Sequence, residues 1–286
     1  MSAEVLNDAG AMQSRAEDLR RSGKRIGVVP TMGALHEGHL SLIRTAREHA
    51  DVVVTTVFVN PTQFGPEEDF QQYPRNPERD TKLATEAGAS ILFMPDDRQM
   101  YPEGFLTSVQ TDRVATILEG AIRPTHFRGV TTIVAKLFHI TKPHVAVFGQ
   151  KDVQQAFIVR RMIRDLNFDI DLIVAPIVRE SDGLAKSSRN VYLAPAERTG
   201  ATCLHKALRK AEELVGKGER DIGYVREEMQ TILLGGGPTA IDYVACLNPE
   251  TFEEVTAMPS PVLLIAVAAR FGRTRLLDNI MIQVPQ

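Results

Sequence analysis

The sequence predicts an α/β protein, with a doubly wound parallel sheet followed by a smaller α+β C-terminal domain. Three observations lead there. Short, β-branched apolar runs alternate with helical patterns from the N-terminus onward, which is the order of a parallel sheet with crossover helices. Each run is continuously apolar instead of alternating with polar residues, as strands covered on both faces must be. The alternation stops near Pro195, where helical patterns follow one another and strands come last.

The elements follow in order. An amphipathic helix precedes the first strand, Ile26 to Val29; further strands are expected at Val52 to Val59, Ile91 to Met94, Val145 to Phe148 and Leu172 to Val178. Helices between them fall near Leu40 to Ala50, Pro77 to Ala87, Gly129 to Ile140 and Val153 to Asn167. After Pro195 one helical pattern runs through Val215 and another through Leu234. Gly235-Gly236-Gly237-Pro238 then breaks the chain, and strands are expected near Ile241 to Leu247 and Val262 to Ala268. The boundary is expected between Asn190 and Pro195, giving a Rossmann-like domain over 1–190 and a smaller domain over 191–286 that covers the active site. In such a sheet, ligands gather where strands end at their carboxyl edge.

Composition bounds the function. With 286 residues, 43% hydrophobic and 24% charged, the chain can bury a large core. A formal net charge of −3 offers no global attraction to nucleic acid or an anionic membrane, so any anion must be held by a local basic patch. Cys203 and Cys246 are far apart and lack metal-ligand spacing, which fits reduced, packed thiols. Glu4, Asp8, Glu17 and Asp18 are unlike a signal sequence, and Val262 to Ala269 is too short to span a bilayer. A cytoplasmic protein is expected.

The chemistry concentrates after the strands. His36-Glu37-Gly38-His39 opens a helix directly after the first strand, where unpaired backbone N–H groups and the helix dipole favour an anion. Positions i and i+3 share a face, so both imidazoles can serve one triphosphate, with Gly33 freeing the turn and Gly38 admitting a purine. A solvated helix surface or part of a metal site are the competing readings, and metal is disfavoured because no Cys cluster or third spaced His accompanies the pair. Asn60-Pro61-Thr62-Gln63 follows the second strand; neutral amides suit a small hydroxylated or carboxylated substrate, although Asn-Pro also favours a turn. Gly149-Gln150-Lys151-Asp152 follows the strand at Val145, with Gln154 and Gln155 behind it. Lys151 can meet a phosphate, and Asp152 can cap the helix or accept from a ribose.

Lys186-Ser187-Ser188-Arg189-Asn190 offers two hydroxyls and a guanidinium as an anion clamp. Arg123 is the better phosphate candidate in a set where His126 and Arg128 shape a loop. Asp80 could reach a nucleotide-bound magnesium, or else be solvated or capping. No Ser-His-Asp order, cysteine nucleophile or spaced carboxylate pair stands out.

Taken together, Pro30 to His39, Phe58 to Phe64, Phe148 to Asp152 and Ser187 to Asn190 closely resemble the pantothenate synthetase family, over nearly the whole chain. That family shares its His-x-Gly-His signature with class I aminoacyl-tRNA synthetases. The resemblance implies ATP-dependent joining of pantoate to β-alanine through a pantoyl adenylate, with Mg²⁺, in a homodimer. It implies that Met32, Gly33, Ala34, Leu35, His36, Glu37, Gly38 and His39 surround ATP, with His39 as proton donor. Gly149 and Asp152 would lie near the adenosine, and Val178 would contact the adenine. Lys151, Ser187, Ser188 and Arg189 would meet phosphates, Gln150 and Lys186 would also belong to the ATP site, and His36, His39, Lys151 and Ser187 to Arg189 would be catalytic. Gln63, Gln155 and Asn60 would hold pantoate or β-alanine. Two departures stand out: Lys186 replaces a residue usually apolar in the family, and Thr125 stands where glycine is common.

The alternative is a nucleotidylyltransferase acting on a small phosphorylated acceptor. It shares the histidines but not the paired glutamines. A tRNA synthetase fragment is opposed by the net charge and by the lack of a basic anticodon-reading tail. A nucleotide sensor without turnover is the non-enzyme reading.

Overall fold

The structure, a computed structural model, describes residues 3–66, 68, 70–259 and 261–285. The chain divides into two compact units, Met1–Gln150 with Gln154–Pro176, and Lys151–Val153 with Ile177–Gln286.

The first unit runs β1 (Glu4–Leu6), α1 (Ala9–Arg21), β2 (Ile26–Thr31), α2 (Glu37–His49), β3 (Val52–Val57), α3 (Pro77–Ala87), β4 (Ile91–Phe93) and the single turns α4 (Asp97–Met100) and α5 (Glu119–Ile122). It continues with α6 (His126–Thr141), β5 (Val145–Gly149), α7 (Val153–Asp165) and β6 (Asp171–Ala175). All six strands are parallel, in the order β1-β4-β3-β2-β5-β6. Strand order reverses between β2 and β5, so the carboxyl ends of β3, β2 and β5 lie side by side at the switch point.

Successive strand residues face opposite ways, which is why the runs had to be apolar throughout. Val28, Val54, Phe93, Ala146 and Phe148 join a core with residues of α1, α6 and α7. Val29, Val53, Leu92, Val145 and Val147 join Leu42, Ile43 and Ala46 of α2 and Ala84 of α3 on the other face. Each large side chain so buried stabilises by about 1.5–3 kcal/mol. β6 ends at Ala175 and not at Val178, because Pro176 has no N–H to continue the ladder.

The second unit contains α8 (Pro195–Gly200), α9 (Cys203–Gly216), α10 (Ile222–Gly235), β7 (Ala240–Leu247), β8 (Val262–Phe271) and β9 (Thr274–Gln283). The three strands form an antiparallel sheet in sequence order. Its inward residues Val244, Cys246, Ile265 and Val267 pack with Leu204, Leu208, Val225 and Met229 of α9 and α10. The expected helix from Pro195 to Val215 is two helices, and β1 and β9 are additional to the expected strands.

The division falls at Pro176/Ile177, and not between Asn190 and Pro195. Within residues 177–190, Leu184 lies in the core of the second unit and Arg179 binds Asp278 of β9 at 2.6 and 3.0 Å. Both cysteines are free and buried, and burial pushes the Cys203 thiol up to about 11. Among the described residues, no helix is long and apolar enough to cross a membrane.

Candidate active site

The first element is the turn that leaves β2. Thr31 Oγ1 donates to Thr56 O of β3 (2.6 Å) and accepts from Gly33 N–H (3.2 Å). Gly33 (φ +83°) and Ala34 (φ +51°) are both left-handed, and a Cβ on Gly33 would lie 3.0 Å from Asp80 Oδ2. A left-handed alanine costs about 1–2 kcal/mol. It is held by Asp80, only 1% exposed, whose two oxygens accept from Ala34 N–H (2.9 Å) and Leu35 N–H (2.8 Å). The expectation of Asp80 as a magnesium ligand does not fit this geometry, since its carboxylate is sealed in and braces the loop. Among the described residues, no group of three His, Cys, Asp or Glu side chains could hold a metal ion.

Leu35 drops its side chain into the core, fully buried, so it has only main chain to offer a nucleotide. The chain then enters α2 with His36 as N-cap and His39 as the third helical residue. His36 Nδ1 accepts from Gly38 N–H (3.1 Å), and His39 Nδ1 accepts from His36 N–H (3.4 Å), a reciprocal capping box. The rings stack with centroids 4.1 Å apart.

Two consequences follow. The expected row of unpaired backbone donors is largely absent, because Gly33, Ala34, Leu35, His36, Gly38 and His39 all place their N–H groups on partners within this loop, its Asp80 brace and the first turn. In their place stand the imidazoles. With each Nδ1 accepting, a neutral ring carries its proton on Nε2, which makes that atom a donor. Glu37 is exposed and bonded to Arg44 on the next turns.

After β3, Asn60 caps the short turn Pro61–Gln63. Its side chain is fully buried and fully engaged. Nδ2 donates to Gln63 Oε1 (2.9 Å) and Gly129 O (3.1 Å), while Oδ1 accepts from Tyr101 Oη–H (2.7 Å) and Thr62. Asn60, expected from the sequence to hold substrate, here spends its polar atoms on the turn and fixes the amide of Gln63. With Oε1 accepting from Asn60, the Nε2 donors of Gln63 are what its side chain has left to offer. Burial pushes the Tyr101 phenol above its usual range, so it remains a donor to Asn60. Helix α6 lies hard against this turn, since a Cβ on Gly129 would sit 2.3 Å from Thr62 O.

The turn is also gripped from Gln63 O. Arg123 donates to that carbonyl (3.1 Å) and to Glu68 (2.5 and 2.7 Å), and His126 Nε2 lies 3.2 Å from Arg123 Nη1. A guanidinium only donates, so His126 accepts at Nε2 and its Nδ1–H donates to Gln63 O at 2.9 Å. Burial, then the Arg123 charge, lowers His126 to about 4 and keeps it neutral. Burial raises the Glu68 carboxyl, but the bond and charge of Arg123 outweigh it and hold the group below its ordinary value. Arg123, the expected phosphate contact, is thus a brace, and Arg128 is exposed.

Helix α7 places Gln155, half-buried, on its first turn. Its neighbour Gln154 is buried and tied to Val114 O, Ile117 O and Glu119 N–H. Gly149 ends β5, and Gln150, Lys151 and Asp152 form a single 3-10 turn, with Lys151 Nζ 3.5 Å from Asp152.

In the second unit, residues 178–186 form a small hairpin, with Arg179 bridged to Ala185 and Lys186 N–H donating to Val178 O (2.9 Å). Lys186 Nζ binds Glu180 at 2.8 Å, so the unusual lysine ties the hairpin together. Ser187 caps the turn Ser188–Tyr192 by accepting from Arg189 N–H, and Asn190 Nδ2 donates to Ala185 O. Thr125, the other departure, is exposed at the start of α6.

The model of the pantoate-beta-alanine ligase family matches residues 4–281. The chain belongs to the pantoate-beta-alanine ligase family. Among the similar members, the pantothenate synthetase of Chloroherpeton thalassium is 50% identical over 98% of this chain and 100% of its own length. That of Geobacter sulfurreducens is 51% identical over 96% and 97%. The crystal structure of pantothenate synthetase from Thermus thermophilus matches with a TM-score of 0.91 at 42% identity, covering 97% of this chain and 98% of that one. The pantoate-beta-alanine ligase of Francisella tularensis, crystallised with beta-gamma ATP and beta-alanine, gives 0.80 at 31% identity, covering 98% of each.

Sequence reasoning leaves Tyr101 unnoticed and gives Gly129 and Gln154 no role in the site. Each works through a bond to a residue dozens of positions away, and no local pattern announces it.

Proposed function

We propose that the protein condenses (R)-pantoate with β-alanine at the expense of ATP, forming pantothenate, AMP and pyrophosphate through a pantoyl adenylate. A pantoate carboxylate oxygen attacks the α-phosphorus and pyrophosphate departs. The neutral amine of β-alanine then attacks the acyl carbon, the C–O bond to AMP breaks, and the amine proton goes to solvent. One observation carries the reading: in a chain of this family, His36 and His39 cap the start of α2 reciprocally through Nδ1, which assigns the proton of each neutral ring to Nε2.

Those donors stabilise charge growing on the phosphate oxygens, with His39 supplying a proton to the leaving group. Met32, Gly33, Ala34, Leu35, Glu37 and Gly38 flank the nucleotide through main chain, and Gly149, Gln150, Asp152 and Val178 serve the adenosine. Lys151, Ser187, Ser188 and Arg189 neutralise the phosphates in the same step. Gln63 and Gln155 orient pantoate, and Gln63 also the amine. Magnesium would come with the nucleotide's phosphates, and no step is routed through Asp80. A cytoplasmic homodimer completes the proposal.

The test is a quenched single turnover with ATP and pantoate but no β-alanine. A bound adenylate is expected to accumulate, and Lys151→Ala or His39→Ala should slow it roughly 10²–10³-fold. No adenylate, or unchanged rates, would reject the scheme. Amide formation on adding β-alanine separates it from a nucleotidylyltransferase.

A further inference from the structure

Strand β9 carries two polar residues where the pattern calls for apolar ones. Asp278 and Asn279 are 2% and 1% exposed, and their register partners on β8 are Val267 and Ala266. Their register partners are apolar, and buried polar groups that break the local rule need a reason. Adjacent strand residues face opposite ways. Asp278 shares the face of Leu276 and Ile282, within the core under α9 and α10, and its carboxylate receives both Nη atoms of Arg179 at 2.6 and 3.0 Å. Arg179 Nη1 also donates to Gly183 O (3.0 Å), so this fork fixes the hairpin from which Lys186 to Asn190 emerges. Asn279, on the opposite face, donates from Nδ2 to the main-chain carbonyl of Lys151 at 2.9 Å. The two are locked together by Asn279 N–H on Asp278 Oδ1 (2.8 Å). The three residues Lys151–Val153 group with this second unit although their neighbours on both sides group with the first.

We propose that Asp278 and Asn279 are positioning residues: one rigid strand step sets the placement of two phosphate-handling segments, Lys151 through its carbonyl and Ser187–Arg189 through Arg179. This rests on the assignment of Lys151 and Arg189 to the adenylation step. The pair acts before β-alanine is involved, so its loss should fall on adenylate formation and spare the KM for β-alanine.

The experiment is a pair of double-mutant cycles read as single-turnover adenylate formation, with thermal midpoints measured alongside. Asn279→Asp keeps the size but replaces the donor by an acceptor; it should slow the step about 10- to 100-fold in the parent, and by less than about twofold in a Lys151→Ala background. Asp278→Asn should behave likewise against Arg189→Ala. Asn279→Ser serves as the second variant, with a smaller loss of the same non-additive kind. Equal losses in both backgrounds, or a raised KM for β-alanine, would overturn the proposal while leaving the roles of Lys151 and Arg189 intact. If Lys151→Ala and Arg189→Ala adenylate at the parent rate, the underlying assignment fails and takes the proposal with it.

Discussion

Gly129→Ala is a one-carbon change whose consequence can be worked from the structure. The added Cβ would lie 2.3 Å from Thr62 O, 2.6 Å from Thr62 C and 2.8 Å from Gln63 N, all main-chain atoms that cannot rotate away. Ordinary contact begins near 3.4 Å, so the Asn60–Gln63 turn must retreat by 3.4 − 2.3, about 1 Å. That retreat also stretches the bond from Asn60 Nδ2 to Gly129 O, now 3.1 Å, and so loosens the grip on Gln63 Oε1. Overpacking of this kind destabilises by about 1–3 kcal/mol, which a large domain survives. A misplacement of about 1 Å at a group that orients substrate costs on the order of 10²-fold in rate. The expected result is a folded enzyme with kcat/KM for pantoate and β-alanine down by that factor. Steady-state AMP release measures this, with circular dichroism confirming the fold. A variant that loses stability but keeps wild-type kcat/KM for both substrates would refute the claim that this turn aims a reacting-group contact.

Two further outcomes follow from buried ionisable groups. His126 is lowered from 6.5 to about 4, chiefly by burial, so the unfolded chain takes up the proton first on acidification. Its contribution is therefore full above 6.5 and is lost as pH falls from 6.5 towards 4, by up to about 3 kcal/mol at 1.36 kcal/mol per unit. Urea midpoints across that window should fall more steeply for the parent than for His126→Gln, and identical slopes would remove His126 as a cause. Asp80→Asn sets an NH₂ against one of two buried backbone donors and should destabilise by about 3 kcal/mol. If unfolding is unchanged while the magnesium requirement rises, Asp80 is a metal ligand after all and not a loop brace.

The strands of the first unit are readable because burial on both faces forces continuous β-branched runs, and Pro77 to Ala87 coincides with α3 because Asn76, Pro77 and Gly88 punctuate it. β1 is a three-residue strand with Glu4 and Val5 exposed, too short to leave a pattern, and β9 is interrupted by Asp278-Asn279. Between α8 and α9 the only punctuation is Gly200 and the N-cap Thr202, whose side chain makes no cap bond, so the two helical patterns read as one. The motif residues can be picked out one by one, but sequence spacing does not separate a ligand contact from a brace. Asn60 looks identical in sequence whether it touches a ligand or only holds Gln63, and the deciding partner, Tyr101, lies 41 residues on. Arg123 has the right charge for phosphate, but Glu68 and Gln63 O claim it through bonds that no spacing reveals.

The histidine pair joins stability to chemistry in one group, and the two can be separated. Histidine is not a favoured N-cap type; here Nδ1 takes the capping role while Nε2 is left to donate. Asparagine caps well but has no counterpart to Nε2. His36→Asn should therefore unfold within about 0.5 kcal/mol of the parent, whereas His36→Ala loses about 1 kcal/mol with the cap. Both should lose adenylate formation alike, on the order of 10²-fold for a missing donor to developing charge. Stability that differs between the variants while their rates agree requires that the ring act on the reaction directly. If instead His36→Asn recovers the rate together with the cap, the imidazole does no more than shape the helix end, and the charge in the transition state must be met by other residues.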